Sequence, residues 1–294
     1  MEAKMSEQQK NETYWEGRIE YLRDSRKDLW NSDYFTFLVN HVWKLNKAIN
    51  IIDFGCGMGY MGSILLPLLP QGSTYTGLDI GAKLLEEGRA TFAGSPWKVE
   101  FIEQDLTQYE PSEKYDLAIC QCVLVHIPSP AAVLEKMVQA VVPGGRIICI
   151  EPNWAFTNMG VYRHGMDVYS YEDAGTHQKL HDYGVQNGEA DRYIGIKIPA
   201  FMHDFGLKNI DIRINDKANF GFSKPDKSKL EKDRLTRREK RFNNPKFYMD
   251  GGLSQVEAIR HVENILLTED FEHSQQDPQA IVSAMSWLIS YGEK

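Results

Sequence analysis

Long apolar runs are missing from this chain of 294 residues. Nothing approaches the roughly 18 consecutive apolar residues that a membrane-crossing helix needs. The opening stretch, Met1 to Glu12, is polar and lacks the apolar centre of a signal peptide, so the expected setting is cytoplasmic. Cysteine is scarce. Cys56, Cys120, Cys122 and Cys149 all fall on or beside expected core strands and read as buried free thiols. Cys120-Gln121-Cys122 has no partner pair to complete a tetrahedral site, so no metal is expected. Internal repeats and low-complexity tracts are absent. Positive charge is in deficit, with 33 Lys and Arg against 41 Asp and Glu, a net of −8. That balance argues against a surface made for nucleic acid. One segment reverses it: residues 224–246 hold ten Lys or Arg and four Asp or Glu, a net of +6, leaving −14 for the rest. Nucleic acid or anionic lipid are its possible partners. Its charges are interleaved and no aromatic rhythm runs through it, so it reads as a solvated helix.

Glycine, by contrast, is concentrated where it matters. The apolar run Ile49 to Phe54 ends in Gly55, Gly57 and Gly59, and a helical pattern begins at Tyr60. This is a buried strand, a tight turn and a helix start. Glycine there admits positive φ and lets a ligand approach the main chain. A helix start also offers free N–H groups to an electron-rich ligand. Two cradles fit the spacing. Gly57-Met58-Gly59-Tyr60-Met61-Gly62 satisfies G-x-G-x-x-G, and Asp79 lies twenty residues past Gly59, as in dinucleotide-binding enzymes. On spacing alone an NAD-dependent oxidoreductase is open.

Asp53 stands two places ahead of the first glycine. Asp53-Phe54-Gly55-Cys56-Gly57-Met58-Gly59 resembles the first motif of the class I S-adenosylmethionine-dependent methyltransferases. Four later stretches follow that family's order: Thr76 to Asp79, Glu103 to Leu106, Tyr115 to Ile119, and Val142 to Gly145. The resemblance covers Ile49 to Asn153 and fades outside it. It implies a Rossmann-like α/β fold, a seven-stranded and mostly parallel sheet with helices on both faces. It implies S-adenosylmethionine as cofactor and a small or medium organic acceptor. It also implies cofactor contacts. Asp53, Gly55, Cys56, Gly57 and Gly59 form the loop. Asp79 takes the ribose hydroxyls and Ile80 lies on the adenine face. Asp105 takes the adenine amino group and the Leu106 N–H a ring nitrogen. Gln121, at the carboxyl end of the fourth strand, faces the methionine part. Cys122 to Pro128 is similar to the V-L-x-H stretch of many small-molecule members. His126 there is either a general base or a histidine that fixes its loop. The NAD reading leaves Asp53 and Asp105 without roles. A non-catalytic cofactor-binding protein on the same fold remains an alternative.

The remaining chain divides by pattern. Residues 1–48 form a helical cap in which Phe35, Leu38, Val42 and Leu45 make a stripe, and Tyr14 or Trp15 either closes over the cofactor or packs on the core. Residues 49–216 form the core. Within it, 154–191 is a polar-aromatic stretch suited to a substrate lid, with Tyr162, His164, Tyr169, Tyr171, His177 and His181. A helix is expected from Gly188 to Phe205 and a strand from Asn209 to Asn215, with Ile210, Ile212 and Ile214 on one face. Residues 217–280 read as a helical insertion, with Ser254 and Glu257 a capping box and Ile259, Val262, Ile265 and Leu266 inward. A further helix is expected from Pro278 to Met285. Residues 281–294 supply the last core strand, antiparallel between its neighbours.

Overall fold

The computed structural model describes residues 15–294, except 27–28, 155–159, 167–173, 224–227, 229–230, 233–234, 237–239, 241, 276 and 285. Tyr14, Tyr169, Tyr171 and much of the basic segment lie outside the described residues. Ten strands occur among those described: β1 Asn50–Phe54, β2 Thr74–Asp79, β3 Lys98–Glu103, β4 Tyr115–Gln121, β5 Val141–Pro152, β6 Val161–Arg163, β7 Lys208–Ile214, β8 Asn219–Ser223, β9 Gln279–Ser283 and β10 Trp287–Glu293. The chain divides into two compact units. One is Met1–Pro152, Ile194–Lys217 and Trp287–Lys294; the other is Asn153–Tyr193 and Ala218–Ser286.

The first unit holds a seven-stranded sheet of order β3-β2-β1-β4-β5-β10-β7. β1 pairs in parallel with β2 and β4, and β10 runs antiparallel between β5 and β7. This is the Rossmann-like sheet the motifs imply. Strand alternation sends Ile51 into one apolar layer with Leu65, Tyr75 and Ile119, and sends Ile52 and Phe54 into the other with Leu78, Ala118 and Leu134. Burial on both faces explains why these strands are continuous apolar runs. The helices close the layers with stripes at three- and four-residue steps. α1 Ile19–Asp24 and α2 Tyr34–Phe37 precede the sheet, and α2 continues as a wider turn over Leu38–Val42. α3 Tyr60–Leu65 follows the glycine loop and α4 Ala82–Phe92 follows β2. α5 Pro130–Ala140 buries Val133, Leu134, Met137 and Val138, each contributing about 1.5–3 kcal/mol.

The second unit holds a three-stranded sheet, β6-β9-β8, antiparallel throughout, with helix α6 Ala174–Gln186. Two expectations fail here. The stretch read as a helix from Pro278 is strand β9, because Ile281 and Val282 find a partner strand on each side. The late insertion is therefore not wholly helical. In the first unit, the helix expected from Gly188 is confined to α7 Ile198–Asp204. Pro199 lies in its first turn, where its missing N–H is tolerated but blocks extension backwards.

In the second unit, α8 Pro245–Asp250 precedes α9 Gln255–Ser274. The capping box at Ser254 and Glu257 forms as expected. The inward stripe of α9 runs through Ala258 and Val262, with Ile265 partly buried, while Ile259 and Leu266 are exposed. On β7, an edge strand, Ile212 and Ile214 are likewise exposed and only Ile210 packs on the core.

Candidate active site

The site is built at the carboxyl ends of β1, β2, β3 and β4. The N–H groups of Gly55 and Cys56 both donate to the Leu78 carbonyl, at 2.8 and 2.9 Å, which stitches the glycine loop to the end of β2. Gly55, Gly57 and Gly59 all take positive φ, 73°, 54° and 78°. They differ in what lies beyond them. A Cβ on Gly55 would stand 2.5 Å from Val123 Cγ2, and one on Gly59 2.8 Å from Phe101 Cζ. A Cβ on Gly57 would meet nothing within 4 Å. Open space begins at Gly57. The N–H groups of Gly55, Cys56, Gly57 and Gly59 all donate within the protein, to Leu78, Asp79 and Cys56, so the loop offers that space backbone without bulk.

Asp79 closes one side. Its Oδ2 accepts from Gly57 N at 2.7 Å and its Oδ1 from Gly81 N at 2.9 Å. Burial raises its pKa, while main-chain donors favour the charged form. A carboxylate has about four lone-pair positions, so two remain for a ligand. Ile80 follows directly and is half-buried. Asp105 lies in the next loop, joined to this one by Gln104 N donating to Asp79 O at 2.8 Å. Its Oδ1 accepts from Thr107 N and Thr107 Oγ1, both at 2.8 Å. Leu106 is buried in the second apolar layer. Gln121, the last residue of β4, is 5% exposed, and its Nε2 has no partner among the described residues. An amide left so costs about 1–3 kcal/mol unless a ligand accepts from it.

Two of the loop residues turn away from the open space. Cys56 points to the sheet, where its Sγ would stand 2.6 Å from a Cβ on Gly77. Its backbone alone serves the cradle. Asp53 is 1% exposed and accepts from the Tyr75 hydroxyl at 2.5 Å. Burial pushes its pKa up to about 7. It sits beneath the loop as a support.

Residue Cys122 is just past β4 with φ 55°, uncommon for a side chain-bearing residue, and this kink starts the turn that carries His126. Glu151, fully buried on β5, holds that turn. Its Oε1 accepts from Val123 N at 2.8 Å and Leu124 N at 2.9 Å, and its Oε2 from Val125 N at 3.2 Å. Burial raises its pKa to about 7, against the pull of those three donors. Sequence reasoning gave Glu151 no role. The available signal was an ionisable residue closing the apolar run Ile147 to Ile150. The His126 ring is exposed and packs edge-on against Trp15, centroids 4.8 Å apart, with Cys122 Sγ 3.9 Å from its Nε2. Trp15, expected either to close over the cofactor or to pack on the core, thus meets the histidine edge-on. Among the described residues no group of three or more His, Cys, Asp or Glu could hold a metal, and no helix is long and apolar enough to cross a membrane.

Residues 52–147 match a family model described as a methyltransferase domain. Over 99 residues, 33% of this chain, the sequence is 30% identical to a ubiquinone biosynthesis O-methyltransferase of Salmonella arizonae, and it is 29% identical to one of Klebsiella pneumoniae. Those matches span 40% of the relatives' own length. Among solved structures, the chain is similar to a Haloferax volcanii protein in complex with the Trm112 methyltransferase activator (TM-score 0.52, 14% identity, 96% of each chain covered). It is also similar to a [4+2]-cyclase, with a TM-score of 0.50 and 14% identity over 99% of this chain and 97% of that one. These two likenesses establish the fold. The second is a reminder that a fold does not choose its reaction.

Proposed function

We propose that this chain, whose residues 52–147 match a methyltransferase domain, is a class I S-adenosylmethionine-dependent enzyme transferring a methyl group from S-adenosylmethionine to a small or medium organic acceptor. The observation that carries this reading is the open flank of Gly57 beside the Asp79 carboxylate. The orphaned Gln121 amide at the next strand end supports it. An NAD-dependent oxidoreductase is not favoured, since the family match lies elsewhere and that cofactor gives Asp105 no task.

S-adenosylmethionine, when bound, supplies a methyl carbon made electrophilic by the neighbouring sulfonium. The protein's part is to bind, orient and shield. Asp79 accepts the ribose hydroxyls as charge-assisted bonds. Ile80 covers the adenine face, Asp105 accepts from the adenine amino group, and the Leu106 N–H donates to a ring nitrogen. Gly55, Cys56, Gly57 and Gly59 offer backbone without bulk, Asp53 props the loop, and Gln121 meets the methionine part. His126 takes the acceptor's proton when the nucleophile is a hydroxyl. What supports that role is its exposure on a turn anchored by Glu151 at the carboxyl end of β4. Four free thiols support a cytoplasmic setting.

Calorimetry with S-adenosylmethionine, S-adenosylhomocysteine and NADH tests the reading. Micromolar binding of the first two, lost in Asp79→Ala, is expected. Binding of NADH alone overturns it. Methylation of an added acceptor separates an enzyme from a binding protein.

A further inference from the structure

One face of the small sheet is used by nothing described above. Its strands run antiparallel, so residues paired across them share a face. Tyr162 of β6, Val282 of β9 and Phe220 of β8 stand in one such row. Phe222 and Ala280 stand in the next, where the His164 N–H donates to the Ala280 carbonyl at 2.9 Å. Aromatic side chains on the outer strands thus flank a middle strand with smaller ones. Phe220 and Phe222 are 69% and 70% exposed, and Tyr162, His164 and Val282 are exposed with them. A contiguous apolar patch left in water marks an interaction site.

Charge says what this face meets. β6, β8 and β9 contain Arg163 and no Asp or Glu. Directly past β8 the chain enters the basic run 224–246, with a net of +6 in a chain that is otherwise −14. Among the described residues of that run, Lys232 and Lys240 are exposed. The run has no aromatic rhythm of its own, but the strand ahead of it supplies the rings. Apolar rings beside concentrated cations suit a surface that is negative outside and apolar beneath, a bilayer of anionic lipid. A single strand of nucleic acid needs open ring faces for successive bases. Here neighbouring rings stand edge to face, Phe220 to Phe222 at 70° and Tyr162 to His164 at 66°. We infer that this sheet face docks on an anionic membrane surface. Phe220, Phe222 and Val282 enter the headgroup boundary, Tyr162 lies at its polar level, and cations of the run that follows pair with lipid phosphates. The attachment is peripheral and does not depend on the methyl-transfer reading.

The test is co-sedimentation of the full chain with vesicles. Vesicles of equal parts phosphatidylglycerol and phosphatidylcholine should bind the wild type about tenfold or more above phosphatidylcholine alone. That binding should fall by about tenfold or more as salt rises from about 0.05 to about 0.5 M. Phe220→Thr combined with Phe222→Thr should lower it by about tenfold or more. Lys232→Gln combined with Lys240→Gln should lower it by about 5- to 20-fold. Threonine suits an exposed strand position, and an unchanged urea midpoint checks that each variant is folded. No binding of the wild type to anionic vesicles overturns the inference. So does binding that the lysine variant loses and the phenylalanine variant keeps, the signature of charge alone. A single-stranded RNA oligonucleotide held by the wild type and released by the phenylalanine variant, with no vesicle binding, gives the face to nucleic acid. A concentration-dependent dimer that the same variant dissolves gives it to a second copy of the chain. Either result overturns membrane docking.

Discussion

The two sheets of this chain use the same hydrogen bonding to opposite ends. In the seven-stranded sheet, Leu117, Ala118, Ile119 and Cys120 of β4 are all wholly buried. In the three-stranded sheet, Phe220 and Phe222 of β8 are 69% and 70% exposed. Double burial makes a carboxylate costly, so the three found toward the strand ends of β1, β2 and β5 are each met by donors. Tyr75 serves Asp53, Gly57 and Gly81 serve Asp79, and three successive N–H groups serve Glu151. The strands of the small sheet are not packed on both faces and carry no such constraint. The lesson is that buried polar groups of the large sheet are where function and stability are both decided.

The largest effect should come from Glu151. Glu151→Leu leaves three buried N–H groups without an acceptor and should cost about 3 kcal/mol or more in urea unfolding. Glu151→Gln keeps the oxygen that Val123 and Leu124 use but turns an NH2 toward Val125, so about 1–2 kcal/mol is expected. The pH dependence sharpens this. Glu151 and Asp53 have folded pKa values of about 7, above their ordinary 4.5 and 3.8. The folded state therefore holds protons that the unfolded chain has released. Their stabilising contribution is full below about pH 4 and is lost as pH rises through about 7. Glu257 on α9 is the opposite case, with Lys179 and Ser254 holding it down at about 2. Its contribution is present above its ordinary 4.5 and lost as pH falls toward about 2. Asp53→Asn should flatten the wild-type slope between pH 4 and 7. An unchanged slope would mean that Asp53 takes up no proton on folding.

Next in size is a pair of glycines two residues apart. Gly55→Ala meets both a left-handed φ and the Val123 methyls, at 2.5 and 2.9 Å. It should cost about 2–4 kcal/mol. Gly57→Ala carries only the backbone strain, about 1–2 kcal/mol, because its new methyl enters open space. That methyl should nevertheless weaken S-adenosylhomocysteine binding by about tenfold or more. Thermal melting and calorimetry on both variants read the two effects separately. If Gly57→Ala bound as wild type, the open flank would not be the ligand's place.

What the sequence disclosed follows the same divide. Double burial writes β1 as an apolar run closed by glycine, which placed the strand and the loop, while β2, β4, β5 and Asp79 were placed by stretches that resemble the family's successive motifs. β10 was legible because Trp287 to Gly292 resembles the last strand of the family's sheets. Residues 278–285 were misread because a half-exposed strand has no strong period, and its identity comes from the two strands it pairs with. Gly188 to Phe205 was misread because apolar residues at helical spacing say nothing of where Pro199 forces a start. Within the site, the cradle was legible because glycine spacing is a main-chain requirement. Glu151 was not, because its role depends on N–H groups brought to it from distant sequence.

The smallest effect belongs to the exposed face of the small sheet. Phe220 lies opposite Val282 on β9, and its ring stands 5.6 Å from that of Phe222. Such an aromatic pair is worth about 0.5–1.5 kcal/mol when it is buried. At this exposure little area leaves water on folding, and threonine suits a strand nearly as well as phenylalanine. Phe220→Thr should therefore shift the urea unfolding free energy by no more than about 0.5 kcal/mol. A loss of 2 kcal/mol or more, on the scale of about 1.5–3 kcal/mol for a fully buried side chain, would show that this face is covered in solution. The contrast between a doubly buried sheet and a half-open one would then no longer hold.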